Sequence, residues 1–209
     1  MPVLGELAFG ARFCPWPVVA VTGTNGKTTT TELIEHLLRR CAFRTLAAGN
    51  IGYPLSQVAR ENHDLDFIVA EVSSFQLEHA AGFVPHAAAL LNITSDHMDR
   101  YPDFAAYAAV KLRLFAGLDD PRRCVIRHDL LPRWHNAFPD RPVPITFSVI
   151  EPTADWHCAD NTLFHRDPDG VKAPFCRLEQ LQLAGAHNIE NLLAATAMVH
   201  AVTGLSPDR

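Results

Sequence analysis

Residues 19–30 decide the fold of this chain, and they read Val19-Ala20-Val21-Thr22-Gly23-Thr24-Asn25-Gly26-Lys27-Thr28-Thr29-Thr30. A run rich in β-branched residues leads directly into a loop with two glycines, after which a lysine and several hydroxyl residues open a helix pattern. Gly23 and Gly26 permit a close backbone approach, so that several N–H groups can converge on one anion. The helix that follows directs its positive end at the same point. The segment therefore predicts a phosphate-binding loop.

In such a loop each side chain has an expected task. Lys27 would reach the terminal phosphates of a nucleotide, and the Thr28 hydroxyl would face Mg²⁺. The strict pattern places a glycine five residues before Gly26, where this chain has Val21, so the loop is a shortened variant. The alternative is an ordinary strand-to-helix turn with two glycines and a lysine, which the flanking strand and helix disfavour. The loop residues predicted to bind nucleotide are Gly23, Thr24, Asn25, Gly26, Lys27, Thr28 and Thr29.

The composition narrows the class of protein. The 209 residues carry a net charge of −5, which disfavours nucleic-acid binding through bulk charge. Five cysteines form no Cys-x-x-Cys pair, so we expect reduced thiols rather than disulfides or a zinc knuckle. No apolar run approaches the roughly 20 residues of a membrane span, and the first residues lack a secretion signal. We therefore expect a cytoplasmic protein without nucleic-acid or membrane partners.

Apolar strand patterns alternate with helix patterns over much of the chain. The predicted strands are 18–22, 43–47, 66–72, 87–93 and 123–127. The predicted helices between them follow the phosphate loop and lie near 54–61 and 104–117. This alternation indicates right-handed βαβ crossovers, and so an α/β fold with a mainly parallel sheet and helices on both faces. Ligands of such sheets bind beyond the carboxyl ends of the strands, where this chain places its polar clusters.

The pattern changes toward the carboxyl end of the chain. Prolines separate short strand-like pieces over about 139–183, and 167–170 has the composition of a hairpin turn. We expect a small antiparallel β subdomain there. The segment 184–188 then opens a last helix, which Gly204 closes. Residues 1–17 are expected to form an irregular, linker-like start, and 18–209 to form one domain.

Two residues at strand ends are candidates for a metal site. Glu71 lies at the end of the third strand, where phosphate-loop enzymes place a carboxylate that organises the metal. The alternative is a glutamate in solvent or in a salt bridge. His97 lies between Asp96 and Asp99, where a neutral imidazole suits a metal ligand, although a lone histidine after a strand is more often structural. Glu71 and His97 could share one divalent ion.

Three further residues are less informative by themselves. Lys111 lies inside the predicted helix 104–117 and, taken alone, is expected to be a surface lysine. Asn188 and Asn191 are three residues apart, so they share one helix face and could hydrogen-bond a base or ribose. From spacing alone, helix capping by Asn188 is the favoured alternative.

Five strings of the chain resemble, in order and separation, those of the Mur ligase family. They are Thr-Gly-Thr-Asn-Gly-Lys-Thr-Thr (22–29), Gly-Asn-Ile-Gly (49–52), Glu-Val-Ser-Ser-Phe-Gln-Leu-Glu (71–78), Leu-Asn-Ile-Thr-Ser-Asp-His-Met-Asp-Arg-Tyr (91–101) and Gly-Ala-His-Asn-Ile-Glu-Asn (185–191). The third and fourth are most similar to those of the family's D-glutamate-adding members. The first is shared with other Mur ligases and with folylpolyglutamate synthetase.

The resemblance implies an ATP-dependent amide-forming reaction in peptidoglycan precursor synthesis. ATP would phosphorylate the alanyl carboxylate of UDP-N-acetylmuramoyl-L-alanine, and the D-glutamate amine would attack the resulting acyl phosphate. The cofactors implied are ATP and two magnesium ions, with manganese as an alternative metal. The small-molecule partners implied are ATP, the UDP-linked substrate and D-glutamate.

The resemblance also implies a role for each candidate residue. Lys27, His97 and Lys111 would be catalytic, and Lys111 would be carbamylated, which turns a cation into a carboxylate near the second metal ion. The metal-binding set would be Thr28, Glu71, His97 and Lys111. Asn50 and Ser73 would face the muramoyl substrate, and Asn188 and Asn191 would contact nucleotide.

The resemblance covers nearly the whole chain, but it corresponds to the central one of the three domains in that family. We therefore expect the uridine-binding amino-terminal domain and the carboxy-terminal domain that closes over ATP to be missing here, and to act in cis or in trans. The chain alone is expected to bind nucleotide weakly and to form no amide at a useful rate. Two alternatives stay open: another amide ligase of the same superfamily, or a nucleotide-binding module that works only with partner chains.

Overall fold

A computed structural model describes residues 4–61, 64–166, 170–181 and 185–206. The strands are β1 (Val18–Thr22), β2 (Thr45–Gly49), β3 (Phe67–Glu71), β4 (Ala87–Leu90), β5 (Cys124–Arg127), β6 (Ile145–Ser148), β7 (Trp156–Ala159), β8 (Thr162–Arg166) and β9 (Lys172–Arg177). The helices are α1 (Glu6–Phe13), α2 (Lys27–Arg40), α3 (Leu55–Arg60), α4 (Ser74–Glu78), α5 (Phe104–Leu112), α6 (Leu131–Ala137) and α7 (Ala186–Thr203).

Within the described residues, nine strands form one sheet in the order β2-β3-β1-β4-β5-β6-β7-β8-β9. Every pairing from β2 through β7 is parallel, and the β7–β8 and β8–β9 pairings are antiparallel. The predicted α/β fold, with a mainly parallel sheet and antiparallel strands before the last helix, is confirmed. The antiparallel strands extend the main sheet, since β6 and β7 still pair in parallel. The predicted hairpin turn at 167–170 lies outside the described residues except for Gly170, and the subdomain bounds 139–183 stay a prediction.

The sheet separates two hydrophobic cores. All five residues of β1 are buried, and successive side chains alternate between the two faces, as the pleat requires. Val18 and Ala20 lie in the core that contains buried residues of α1, α3 and α5, whereas Val19 and Val21 lie in the core with α2 and α7. Helices therefore cover both faces, as expected.

Several elements differ from the sequence predictions. The prediction of an irregular start is wrong for Glu6–Phe13, which forms α1. The short helices α4 and α6 were not predicted. These helices are five to eight residues long, so they depend on tertiary packing rather than on helix propensity. Helix α5 ends at Leu112 instead of residue 117, because the chain tightens into a 3₁₀ turn at Arg113–Phe115.

The predicted end of the last helix, at Gly204, is confirmed. Gly204 adopts the left-handed conformation that closes α7, with φ 68°, as a terminal glycine does. Capping by Asn188 is wrong, because Gly185 occupies the N-cap position and Asn188 lies inside the first turn. Among the described residues, no helix combines the length and apolar character required to cross a membrane.

Helix α1 packs closely on α3 through Gly10. A Cβ atom placed on Gly10 would lie 2.5 Å from the backbone nitrogen of Ser56 and 2.8 Å from the carbonyl carbon of Leu55. Both contacts are to backbone atoms, which cannot rotate away. The contact therefore requires a residue without a side chain at this position.

We expect Gly10→Ala to lower the free energy of unfolding by roughly 1–3 kcal/mol, the usual cost of overpacking. In a helix without this contact the same change would raise stability by up to about 1 kcal/mol, so the sign is diagnostic. Urea unfolding measures the difference. The control is Arg12→Ala on the exposed face of α1, expected to change stability by less than about 0.5 kcal/mol. Stabilisation by Gly10→Ala would contradict the close packing.

Candidate active site

The strand register brings the carboxyl ends of four strands to one edge of the sheet. Glu71, the last residue of β3, pairs with Val21 of β1 on one side and with Gly49 of β2 on the other. Thr22 of β1 pairs with Leu90 of β4. The phosphate loop and the segments after β2, β3 and β4 therefore leave the sheet at the same level. This edge is where ligands of parallel sheets bind.

The phosphate loop has the backbone that its glycines predict. Gly26 adopts a left-handed conformation, with φ 82°, and precedes Lys27, the first residue of α2. The first N–H groups of a helix have no intrahelical acceptor and attract anions. The Lys27 ammonium donates to the carbonyl oxygen of Thr24 at 3.0 Å, so the side chain folds over its own loop. Donor N–H groups and a cation thus meet at the start of α2.

Asn92, just after β4, pins this loop, a role that sequence reasoning missed. Its side-chain oxygen accepts from the backbone N–H groups of Thr24 at 3.1 Å and Asn25 at 2.9 Å. Its amide nitrogen donates to the carbonyl oxygen of Asn25 at 3.0 Å. Because these two N–H groups are already bonded, an anion would be bound by the N–H groups from Gly26 onward. The predicted nucleotide contacts of Thr24 and Asn25 stay predictions, and the backbone N–H groups of these two residues do not support them.

A buried carboxylate joins the phosphate loop to β2 and β3. The Glu71 side chain is almost fully buried. One of its oxygens accepts from the Thr28 hydroxyl at 2.7 Å, and the other accepts from the Asn50 side-chain amide at 2.8 Å. The alternative of a solvent-exposed glutamate is wrong. The structure thus brings together three predicted site residues: Thr28, Asn50 and Glu71.

This pair of oxygen donors fits a magnesium ion. Mg²⁺ in nucleotide sites is held by one or two carboxylates together with phosphate oxygens, and it keeps several waters. The Glu71 carboxylate and the Thr28 hydroxyl supply ligands of that kind at the start of α2. Within the part of the chain that the structure describes, no three His, Cys, Asp or Glu side chains form a group that could hold a metal ion. The shared Glu71–His97 metal site stays a prediction.

Lys111 is buried, so its expected surface position is wrong. The side chain is 1% exposed, and its ammonium donates to the carbonyl oxygen of Gly23 at 2.8 Å. The pKa of Lys111 is lowered to about 7, mainly by burial and also by the nearby charge of Lys27, while Asp96 opposes the shift. Burial penalises the charged amine, which explains the direction. Lys111 therefore lies against the phosphate loop.

Tyr107 connects the loop to Lys111 and His97. Its hydroxyl lies 3.2 Å from the Thr24 hydroxyl, and the Lys111 ammonium lies 4.8 Å from its ring centre. The His97 ring centre is 6.5 Å from the Tyr107 ring centre. Tyr107 lies one turn before Lys111 in α5, and sequence reasoning assigned it no role. The available signal was this spacing of four, which places both side chains on one helix face.

His97 lies on an exposed turn after β4. Its backbone has φ 53°, which non-glycine residues seldom adopt. Its N–H donates to the Asp96 carboxylate at 2.9 Å, and its Nε2 lies 3.4 Å from the other oxygen of that carboxylate. The ring packs on Phe75 of α4 at 4.8 Å between ring centres. His97 is therefore accessible, in an orientation fixed by its neighbours.

The remaining predicted residues occupy different surroundings. A side chain on Gly26 would overlap the side-chain oxygen of Asn191, so Asn191 lies directly against the phosphate loop. Asn188 is half-buried near the start of α7. The Ser73 hydroxyl caps α4: it accepts from the Gln76 N–H at 3.2 Å in a capping box. Substrate contacts of Ser73 and nucleotide contacts of Asn188 stay predictions.

An ion pair ties α4 to the turn after His97. The Glu78 carboxylate accepts from the Arg100 guanidinium at 3.1 and 2.5 Å and from the Tyr101 hydroxyl at 2.5 Å. The Arg100 side chain lowers the pKa of Glu78 to about 2, with a smaller contribution from Tyr101. The carboxylate therefore stays ionised at neutral pH.

A cavity of about 610 Å³ lies elsewhere, near the amino ends of β5, β6 and β7. Arg122, Trp156 and His200 are among the residues that line it. It lies at the opposite end of the parallel strands from the phosphate loop. We place the site at the loop because the donors and the buried carboxylate converge there.

Comparisons with known sequences identify the family of the chain. The family model described as "Mur ligase middle domain" matches residues 21–199. The chain is 37% identical to the UDP-N-acetylmuramoylalanine--D-glutamate ligase of Thermoanaerobacter sp. (strain X514), over 99% of this chain and 45% of that protein. It is 40% identical to the ligase of the same name from Pelotomaculum thermopropionicum, over 97% of this chain and 44% of that protein. The chain thus spans less than half the length of these relatives.

Solved structures share the fold. A UDP-N-acetylmuramoyl-L-alanyl-D-glutamate--2,6-diaminopimelate ligase superposes with a TM-score of 0.71 at 27% identity, over 93% of this chain and 45% of that one. MurF from Acinetobacter baumannii superposes with a TM-score of 0.70 at 22% identity, over 96% and 46%, and shows the fold alone. From its sequence relatives and its fold together, the chain belongs to the Mur ligase family, whose middle domain it matches.

Proposed function

We propose that this chain is the nucleotide-binding part of an ATP-dependent ligase that adds D-glutamate to UDP-N-acetylmuramoylalanine in peptidoglycan precursor synthesis. The observation that carries the proposal is the Thr28 hydroxyl bonded at 2.7 Å to the buried Glu71 carboxylate at the start of α2. This arrangement is what a magnesium nucleotide needs beside a phosphate loop. The names of the relatives supply the substrates.

The triphosphate of ATP would be bound at the start of α2. The N–H groups from Gly26 onward and the Lys27 ammonium are the donors, since Asn92 already bonds the earlier loop N–H groups. Local geometry has to supply this attraction, because the chain carries a net charge of −5. Asn191 lies against Gly26, and it would contact the nucleotide from α7.

Glu71 and Thr28 would hold the magnesium ion. The ion supplies charge neutralisation on the phosphates when it is bound. Asn50 bonds the second oxygen of Glu71 at 2.8 Å, and thereby fixes the direction of the first oxygen toward Thr28. His97 and a modified Lys111 would complete the metal side of the site, with a second ion as the resemblance implies.

The lowered pKa of Lys111 supports its carbamylation. With a pKa of about 7, about half of the amines are neutral at pH 7. A neutral amine attacks CO₂ and forms a carbamate, with release of one proton. The product carries a negative charge beside the phosphate loop in place of the positive one. An anion there would attract a metal ion, whereas the ammonium would repel it.

D-Glutamate is favoured as the amino acid substrate over that of another Mur ligase. Relatives at 37–40% identity are named as D-glutamate ligases, and the strings 71–78 and 91–101 resemble that member most. The activity also requires the parts of the ligase that this chain does not include, since it spans about 45% of those relatives. We also propose a cytoplasmic location for this reaction.

We expect Lys27→Ala to weaken magnesium-ATP binding by roughly tenfold or more, because hydrogen bonds to charged groups contribute about 1.5–3 kcal/mol. Isothermal titration calorimetry of the folded chain measures the affinity. The matched control is Lys172→Ala, which removes a lysine from β9. Equal affinity of the wild type and Lys27→Ala, or no binding by a folded wild type, would contradict the phosphate site.

Lys111 should make stability depend on pH. Its pKa is about 7 in the folded chain and 10.5 ordinarily, so the unfolded chain binds more protons between those values. The free energy of unfolding should therefore rise with pH from about 7 upward, by at most roughly 1.4 kcal/mol per unit. Below pH 7 Lys111 adds no slope. Urea unfolding between pH 6 and 9, without metal or CO₂, measures this, and Lys111→Met should lose the rise. An equal pH dependence of the free energy of unfolding in the wild type and in Lys111→Met would contradict the lowered pKa of Lys111.

A chimera tests the reaction itself. The matching segment of the Thermoanaerobacter relative is replaced by this chain, and amide formation is followed with D-glutamate and with diaminopimelate. We expect activity with D-glutamate only, and its loss on Lys27→Ala. Preference for diaminopimelate would overturn the proposed substrate.

A further inference from the structure

The two sequence strings that most resemble the D-glutamate-adding members meet in one contact. Glu78 ends the first string, and Arg100 and Tyr101 end the second. The Arg100 guanidinium donates to both carboxylate oxygens of Glu78, at 3.1 and 2.5 Å, and the Tyr101 hydroxyl donates at 2.5 Å. A two-point guanidinium–carboxylate pair fixes orientation as well as distance. Helix α4 is thereby joined to the turn that carries His97.

Phe75 completes this contact on the side of His97. The Arg100 guanidinium carbon lies 4.9 Å from the centre of the Phe75 ring, and the His97 ring centre lies 4.8 Å from it. The Phe75 ring therefore contacts both the cation and the imidazole. The position of Phe75 is set by α4, and the Ser73–Gln76 capping box stabilises the start of this helix.

The backbone of the turn transmits the position of Arg100 to His97. The N–H groups of Arg100 and Tyr101 both donate to the His97 carbonyl oxygen, at 3.0 and 3.2 Å. His97 itself is held at φ 53°, a conformation that the surroundings have to enforce. Moving Arg100 would therefore release the constraint on His97.

Tyr101 extends the contact toward the phosphate loop. Its ring is buried and lies 5.1 Å from the Tyr107 ring, between ring centres. Tyr107 in turn contacts Thr24 and Lys111. The Glu78 carboxylate is thus connected to the loop through two aromatic rings.

We propose that Glu78 is a positioning residue, which acts through Arg100 and Tyr101 to hold the His97 imidazole at the metal side of the phosphate loop. The proposal rests on the proposed function for the role of His97. The contact contributes little to stability as a salt bridge, because the Arg100 side chain is 49% exposed and water screens exposed ion pairs. Its effect is on orientation.

The test compares Glu78→Gln, and separately Arg100→Lys, with the wild type. Glu78→Gln removes the charge, whereas Arg100→Lys keeps the charge and removes the two-point geometry. Nuclear magnetic resonance of the assigned His97 ring reports its position on Phe75 through the ring-current shift. Both variants should move the His97 ring resonances toward those of an unstructured histidine.

Calorimetry supplies the second readout. The magnesium concentration that half-saturates nucleotide binding should rise by about tenfold, the usual effect of losing a residue that orients a ligand. Nucleotide affinity without metal should stay within about twofold, because α2 and Lys27 are untouched. The matched control is Asp120→Asn, which breaks a similar two-point pair with Arg122. This pair precedes β5, at the opposite end of the parallel strands from the phosphate loop. The control variant should change neither quantity.

The outcomes separate the two ideas. Unchanged His97 resonances in both variants would overturn the positioning role, and an equal loss of affinity with and without metal would reduce it to a structural role. If the wild type bound no magnesium nucleotide, the proposed function would fail, and the resonance comparison would still decide whether Glu78 positions His97. A shift of His97 together with a selective loss of magnesium dependence supports the proposal.

Discussion

The site depends on one interaction, the hydrogen bonds that hold the Glu71 carboxylate. A buried carboxylate is costly unless donors surround it, and here Thr28 and Asn50 supply them at 2.7 and 2.8 Å. Thr28 comes from the start of α2, and Asn50 follows β2. Both donors reach Glu71 only because β1, β2 and β3 run parallel and end at the same level. The sheet topology and the site therefore constrain each other.

The same edge concentrates positive charge in an acidic chain. Lys27 and Lys111 both bond carbonyl oxygens of the phosphate loop, those of Thr24 and Gly23. Burial lowers the pKa of Lys111, and the repulsion between the two ammonium groups at one loop lowers it in the same direction. A bound phosphate would relieve this repulsion on one side of the loop. The loop is thus arranged for an anion although the net charge of the chain is −5.

Local patterns predicted the phosphate loop, the first five strands and the position of Glu71, because each depends on neighbouring residues or on the parallel register. Contacts distant in sequence were not predictable. Asn92 lies 68 residues from Thr24, and Tyr107 lies 83 residues from it. The burial of Lys111 depends on the carbonyl of Gly23, 88 residues away. The start of α4 could have been predicted, because the spacing of Ser73 and Gln76 in the sequence is that of a capping box.

The strings 71–78 and 91–101 suggested the family as two separate observations, but the fold makes them one physical unit. Each is unremarkable alone: a short helix after a strand, and a polar turn after another strand. Their partners lie 22 and 23 residues apart in sequence. They meet because β3 and β4 both run parallel to β1, so that the two strings leave the same edge of the sheet. A change in either string would leave a charged or aromatic group of the other without its contact. This mutual dependence gives a structural reason for the two strings to occur together.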